Sequence, residues 1–169
     1  MRSYNIKPLI AATEDKLLKN FNFSLNLDGI DDVFKEIDKI LEFDIENLQK
    51  LNKKILMWYS YLSEVQPLIE FFIDRFKNTI DVYDYLDFLS REDISLFSSI
   101  APKYKINTRD TVSAMIELGE KRTEMTIYVR NLKAMNKILL SYINFFKSHH
   151  YKTNQLINKN GNRLIRAGF

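Results

Sequence analysis

Thr111, Met115, Leu118, Arg122, Met125, Val129, Leu132, Asn136, Leu139, Ile143, Phe146 and His150 follow one another at spacings that alternate four and three without a slip. Alternation of that kind is the seam of a helix packed lengthwise on a second helix. A helix from Asp110 to His150 would be about 60 Å long at about 1.5 Å per residue. A compact chain of 169 residues has a radius of gyration of only roughly 15 Å. Such a helix must protrude, pack along another long helix, or join a second chain. The alternative is a break at Gly119 into two ordinary helices. Two members of the seam are polar, Arg122 and Asn136. A buried Asn in a seam sets register or oligomer state. If instead the stripe drifts, because a straight helix repeats at 3.6 rather than 3.5, Met135 takes the place of Asn136 and the amide faces water.

A second seam lies upstream. Ile45, Leu48, Leu51, Ile55, Trp58, Leu62, Val65, Ile69, Phe72 and Phe76 again alternate three and four, with Pro67 inside the run. Proline removes one helical hydrogen bond, so a kink is expected there. The connection from Asn78 to Asn107 is rich in Asp, Tyr and Ser, with a short helix near Val82–Leu89, and Ala101–Pro102 breaks the pattern. Before these seams, a helix over Lys7–Lys19 opens on Pro8. Phe21–Gly29 alternates with period two, as a short strand or an extended linker does. After Asp28–Gly29 a third stripe follows, made of Ile30, Val33, Phe34, Ile37, Ile40 and Leu41. The expectation is an all-α fold: an elongated helical hairpin or bundle with a long C-terminal helix and a coiled-coil-like seam. Residues 1–44 form an N-terminal helical segment and 45–169 the hairpin core, within a single domain. The predicted oligomer seam is Met125, Val129, Leu132, Asn136, Leu139, Ile143 and Phe146, because an exposed apolar stripe that long is an aggregation liability.

Composition narrows the chemistry. The chain has no Cys, which excludes disulfides, cysteine-ligated zinc, iron–sulfur clusters and thiol catalysis. With 4 Gly and 3 Pro, a β architecture stitched by tight turns is disfavoured. The two histidines, His149 and His150, are adjacent and point about 100° apart on a helix, so they do not form the i, i+4 pair of a helical metal site. Asp81, Asp84 and Asp87 lie three apart, as an acidic solvated face does. No Gly-rich phosphate loop and no Glu-x-x-His motif is present. No enzyme, no metal and no cofactor is expected. The longest nearly apolar stretch, Ile138–Phe146, is far short of the roughly 20 residues of a membrane span, so a soluble, cytoplasmic protein is expected.

Charge is unevenly placed. The last acidic residue is Glu124. Met125 to Phe169 carries eight basic residues and no acid, against 17 basic and 22 acidic before it. A segment of that length at ordinary composition holds about five acids. The pattern points to a polyanion or an acidic protein face. In the terminal stretch Phe145, Phe146 and Tyr151 interleave with Lys147, Lys152, Lys159, Arg163, Arg166 and several amides. Cations that track phosphates and aromatics that stack on bases are what single-stranded nucleic acid requires. Phe146, on the seam, belongs to the core, and Tyr151 is the better stacking candidate.

Residues Glu117 to Gly168 resemble the C-terminal half of the UvsY-type recombination mediators of T-even-like phages. The similarity lies in Ser148-His149-His150-Tyr151, then Gln155-Leu156-Ile157, then Arg163-Leu164-Ile165-Arg166-Ala167-Gly168. Upstream, Ile73–Phe76, followed by Tyr83 and Tyr85, is similar to the basic segment that precedes a tyrosine pair in that family. The resemblance implies a non-enzymatic, homo-oligomeric factor in an infected bacterial host. It would bind single-stranded DNA and help a RecA-like recombinase displace the single-strand-binding protein. It adds Arg75 to the DNA-binding candidates Lys147, Tyr151, Lys152, Lys159, Arg163 and Arg166, and to His149 and His150, an adjacent pair of the type that contacts phosphate. The competing expectation is a helical phage structural protein, a neck or scaffold component, without a DNA-specific role.

Overall fold

The computed structural model describes residues 6–101 and 108–166, with side chains given up to Gly161 and, after residue 107, for Ser113 and from Met115 on. The described residues form five α-helices and no strand: α1 (Lys7–Phe21), α2 (Ile30–Asp38), α3 (Ile45–Glu92), α4 (Ile94–Ile100) and α5 (Thr108–Arg166). The all-helical expectation holds, and two helices are longer than their seams required. Inter-residue contacts divide the chain into two units. One takes the residues up to Ile69 and from Ala134 on; the other is Glu70–Lys133.

In the first unit, α1 begins with Pro in its first turn and ends on Asn22. Asn22 adopts left-handed backbone angles (φ 50°), and its N–H reaches the carbonyls of Leu17 and Leu18. Phe23–Leu27 is extended but pairs with no strand. Its period of two reflects Leu25 and Leu27 turning into the core while Ser24 and Asn26 face out. Tyr61 Oη accepts the Asn26 N–H at 3.2 Å. Gly29 (φ 84°) turns the chain into α2, whose first turn carries Asp31 and Asp32 at the positive end of the helix dipole. Ile30, Val33, Phe34 and Ile37 are buried, but the stripe stops there. A 3-10 turn at Ile40–Glu42 rotates the chain and leaves Leu41 86% exposed.

Helices α1 and α2 belong to the same unit as the first part of α3 and the last part of α5. The Phe34 ring centroid lies 5.3 Å from each of Tyr142, Phe145 and Phe146, which anchors α2 on α5. From α3, Leu48, Leu51, Ile55, Trp58, Leu62, Val65 and Ile69 enter the same core, as the seam predicted. Asp44 Oδ1 caps α3 by accepting the Asn47 N–H at 2.8 Å. The helix runs through exposed Pro67.

On α5 the buried residues of this unit are Met135, Leu139, Tyr142, Phe146 and Thr153. The stripe drifts by one residue from the strict heptad. Met135 is fully buried where the heptad placed Asn136, and Tyr142 is 1% exposed where it placed Ile143. Half-buried Asn136 accepts a hydrogen bond from Gln66 Nε2 at 3.2 Å, an intramolecular tie between α5 and α3. The predicted oligomer seam is corrected by the same observation. Leu132, Leu139 and Phe146 are fully buried and Val129 nearly so, all within a single chain. Met125, Asn136 and Ile143 are half-buried. These buried positions belong to the cores of the two units, Val129 and Leu132 to one and Leu139 and Phe146 to the other.

In the second unit, α3 does not end near Phe76; it continues to Glu92. The segment read as a connection is a half-exposed helix whose outer side mixes Asp81 and Asp84 with exposed Val82, Tyr85 and Phe88. Ion pairs one turn apart, Asp74–Lys77 and Asp87–Arg91, support it. Asp93 Oδ1 caps α4 by accepting the Leu96 N–H at 2.9 Å. Ala101 closes α4, and Pro102 lies outside the described residues. Leu89, Phe97, Ala101 and Leu118 form the small core of this unit, flanked by Tyr83 and Leu86. The Phe76 and Tyr128 rings meet edge-to-face at 4.7 Å. Helix α5 runs through Gly119 without a break. Arg122 is no core residue: it is exposed and forks onto Asp84, whose carboxylate holds the guanidinium pKa above its usual value.

Candidate nucleic-acid interface

The C-terminal part of α5 carries two kinds of polar face, and the buried stripe decides which is which. Residues on the side of Met135, Leu139, Tyr142 and Phe146 face the core. Lys137, Ser141, Asn144, Lys147, Ser148, Tyr151, Lys152, Gln155 and Lys159 face out. Asn144, Lys147, Ser148, Tyr151, Lys152 and Gln155 line one shallow concavity on that outer face. Tyr151 is 66% exposed, so its ring is open to solvent.

Ion pairing neutralises many of the cations earlier in the chain, though exposed Lys19, Lys39, Lys53 and Arg75 have no ion-pair partner among the described residues. Lys7, Lys35, Lys50, Lys54, Lys77, Arg91, Lys121 and Arg122 each pair with a carboxylate. Among the described residues, exposed Lys137, Lys147, Lys152 and Lys159 have no ion-pair partner. The reason is local: α5 has no acid after Glu124 to offer at i±3 or i±4. Four unneutralised ammonium groups on one helical face create a positive potential that selects an anionic partner.

The histidines, read as a phosphate-contacting pair, are less open than the lysines. Both are half-buried and turned into the unit rather than presented to a phosphate. His149 packs on Phe145 with ring centroids 4.3 Å apart, and its Nδ1 is buried without a hydrogen-bond partner. Burial, helped by nearby Lys152, lowers its pKa below the ordinary histidine value, because the charged ring would lose its water. His150 belongs to a closed triangle. Its Nδ1 lies 2.8 Å from Asn52 Oδ1 and its Nε2 lies 3.2 Å from Asn154 Nδ2, while Asn52 Nδ2 donates to Asn154 Oδ1 at 2.8 Å. All three contacts are satisfied at once when the neutral ring carries its proton on Nδ1. This polar lock between α3 and α5 escaped the sequence reading. The i, i+4 pair His150–Asn154 is visible in the sequence, but nothing there marks Asn52, 98 residues away from His150.

Of the remaining candidates, Arg163 and Arg166 lie on α5, with side chains outside the described residues. Arg75 belongs to the other unit, with its guanidinium carbon 5.8 Å from the centroid of the Phe71 ring. In the Asp81, Asp84, Asp87 trio, Asp84 pairs with Arg122 and Asp87 with Arg91. Among the described residues no helix is long and apolar enough to cross a membrane. No protein-family model, curated protein or solved structure matches the chain.

Proposed function

We propose that this chain is a non-enzymatic accessory protein that binds single-stranded DNA along the outer face of α5. The observation that carries the reading is the acid-free exposed face on which Lys137, Lys147, Lys152 and Lys159 lack ion-pair partners among the described residues, Lys147 and Lys152 lining the same concavity as the open ring of Tyr151. The lysines track phosphates, Tyr151 stacks on a base, and Asn144, Ser148 and Gln155 hydrogen-bond edges or backbone. Double-stranded DNA offers no unstacked base to Tyr151 and binds by charge alone. The fuller role, loading a RecA-like recombinase against a single-strand-binding protein as an oligomer in a phage-infected host, rests on the resemblance to UvsY-type mediators.

A salt titration of a labelled oligonucleotide, read by fluorescence anisotropy, tests the reading. Each phosphate contact on a single strand contributes a slope of about 0.7 in log K against log salt. Four lysine contacts give a loss of roughly fiftyfold between about 50 and 200 mM salt. Lys152→Gln lowers the slope by about 0.7 for every sequence alike. Tyr151→Ala costs about 1–3 kcal/mol and leaves the slope unchanged, since stacking releases no counterions. If Lys147→Gln, Lys152→Gln and Tyr151→Ala all bind like the parent, the face serves a protein partner and the DNA reading fails.

A further inference from the structure

Leu25 and Leu27 bury their side chains in the first unit yet leave backbone groups unpaired. Phe23–Leu27 is extended, so the backbone groups of successive residues face opposite ways. The Phe23 N–H reaches the Leu17 carbonyl on α1, and the Asn26 N–H reaches Tyr61 Oη on α3. By that alternation the N–H and C=O of Leu25 and the N–H of Leu27 face the α1 side. None of the three has a hydrogen-bond partner among the described residues, although Leu25 is only 6% and Leu27 8% exposed. Buried peptide groups are almost always paired. Here they border a cavity of about 430 Å³ that lies between the segment and Ile10, Ala11 and Glu14 of α1.

We propose that this slot takes an extended basic peptide of another protein, added as a strand antiparallel to Ser24–Asp28. The segment spans about 13 Å at about 3.3 Å per residue, the length of a peptide of about five residues. The peptide residue opposite Leu25 exchanges both backbone bonds with Leu25, and a third bond satisfies the Leu27 N–H. Side-chain requirements follow from the same register. Ser24, Asn26 and Asp28 are exposed on the outer face, and the peptide residues opposite them share that face. At one end Glu14 accepts the Ser24 hydroxyl at 3.0 Å; at the other stands Asp28. Neither carboxylate has an ion-pair partner among the described residues, whereas Lys7, which also lines the cavity, pairs with Asp31 at 3.8 Å. Two carboxylates without a cation select basic residues at the two ends of the peptide, four positions apart. The residues between them that turn inward meet Ile10 and Ala11 and are apolar. The pattern recognised is Lys or Arg, apolar, polar, apolar, Lys or Arg. The same carboxylates repel a nucleic acid, so the assignment stands apart from DNA binding and does not rest on it.

The probe is the end-blocked peptide Gly-Lys-Val-Thr-Val-Lys-Gly, titrated into the isotope-labelled full chain and followed by amide NMR. The Leu25 and Leu27 amide resonances shift, and their exchange with solvent slows. N-methylation of both valine amides leaves the charge unchanged and weakens binding about tenfold or more, because each lost bond strands a buried partner. Replacing both lysines of the peptide by glutamate abolishes binding. Glu14→Gln and Asp28→Asn each weaken it about threefold, as exposed ion pairs do. Ala11→Trp, at an exposed position of α1, fills the slot and abolishes binding with the helical circular dichroism intact. Unmoved Leu25 and Leu27 amides at about 1 mM peptide overturn the proposal. So does an N-methylated peptide that binds the parent chain as well as the unmethylated one, since attraction by charge alone gives that result and no variant has to fold.

Discussion

The triangle of Asn52, His150 and Asn154 yields a quantitative expectation. Each corner takes part in two of the three hydrogen bonds. Asn52→Ala removes two bonds and strands His150 Nδ1–H and Asn154 Oδ1. Asn154→Ala also removes two. At about 1 kcal/mol per neutral bond, each single variant loses about 2 kcal/mol. The double variant loses three bonds rather than four, so it costs about 3 kcal/mol and the coupling is about 1 kcal/mol. Alanine is the better helix former, and that gain enters the singles and the double alike, so the cycle cancels it. Urea unfolding of the four proteins, followed by far-UV circular dichroism, measures every corner of the cycle. Additivity to within about 0.3 kcal/mol would refute the shared bond and with it the lock between α3 and α5.

His149 gives a pH dependence of fixed sign. Its folded pKa lies below the unfolded value near 6.5, so the unfolded chain takes up the proton first as pH falls. The stabilisation is whole above about 6.5 and declines as pH drops from there toward the lowered folded value; urea midpoints between about pH 7.5 and 5.5 fall for the parent and flatten in His149→Phe. Gly119 lies within α5, and a Cβ built there meets nothing within 4 Å. Gly119→Ala therefore gains about 0.5–1 kcal/mol by restricting the unfolded chain, seen as a melting temperature higher by roughly 1–4 °C. An unchanged melting temperature would mean that α5 is not helical at 119 in solution.

Much of the secondary structure was legible because helical periodicity is local. The α3 seam from Leu48 to Phe76 is buried as spaced, and Pro8 and Gly29 mark helix starts through chemistry that acts within one turn. The basic outer face of α5 was legible too, since an absence of acids after Glu124 removes intrahelical partners whatever the fold. What the spacing left open was how far each helix runs. Polar residues from Asn78 to Glu92 match a loop or a half-solvated helix equally well, and only packing on Leu89 and its neighbours settles it. Nor does a seam name its partner. A four–three repeat states that a stripe is covered, and the tertiary structure decided that α5 is covered by its own chain. The same limit applies to His149 and His150: residue type made them candidates for phosphate contact, while contacts with Phe145 and Asn52, brought there by the fold, leave them half-buried. Composition and period set which groups are available; long-range packing decides which of them water can still reach.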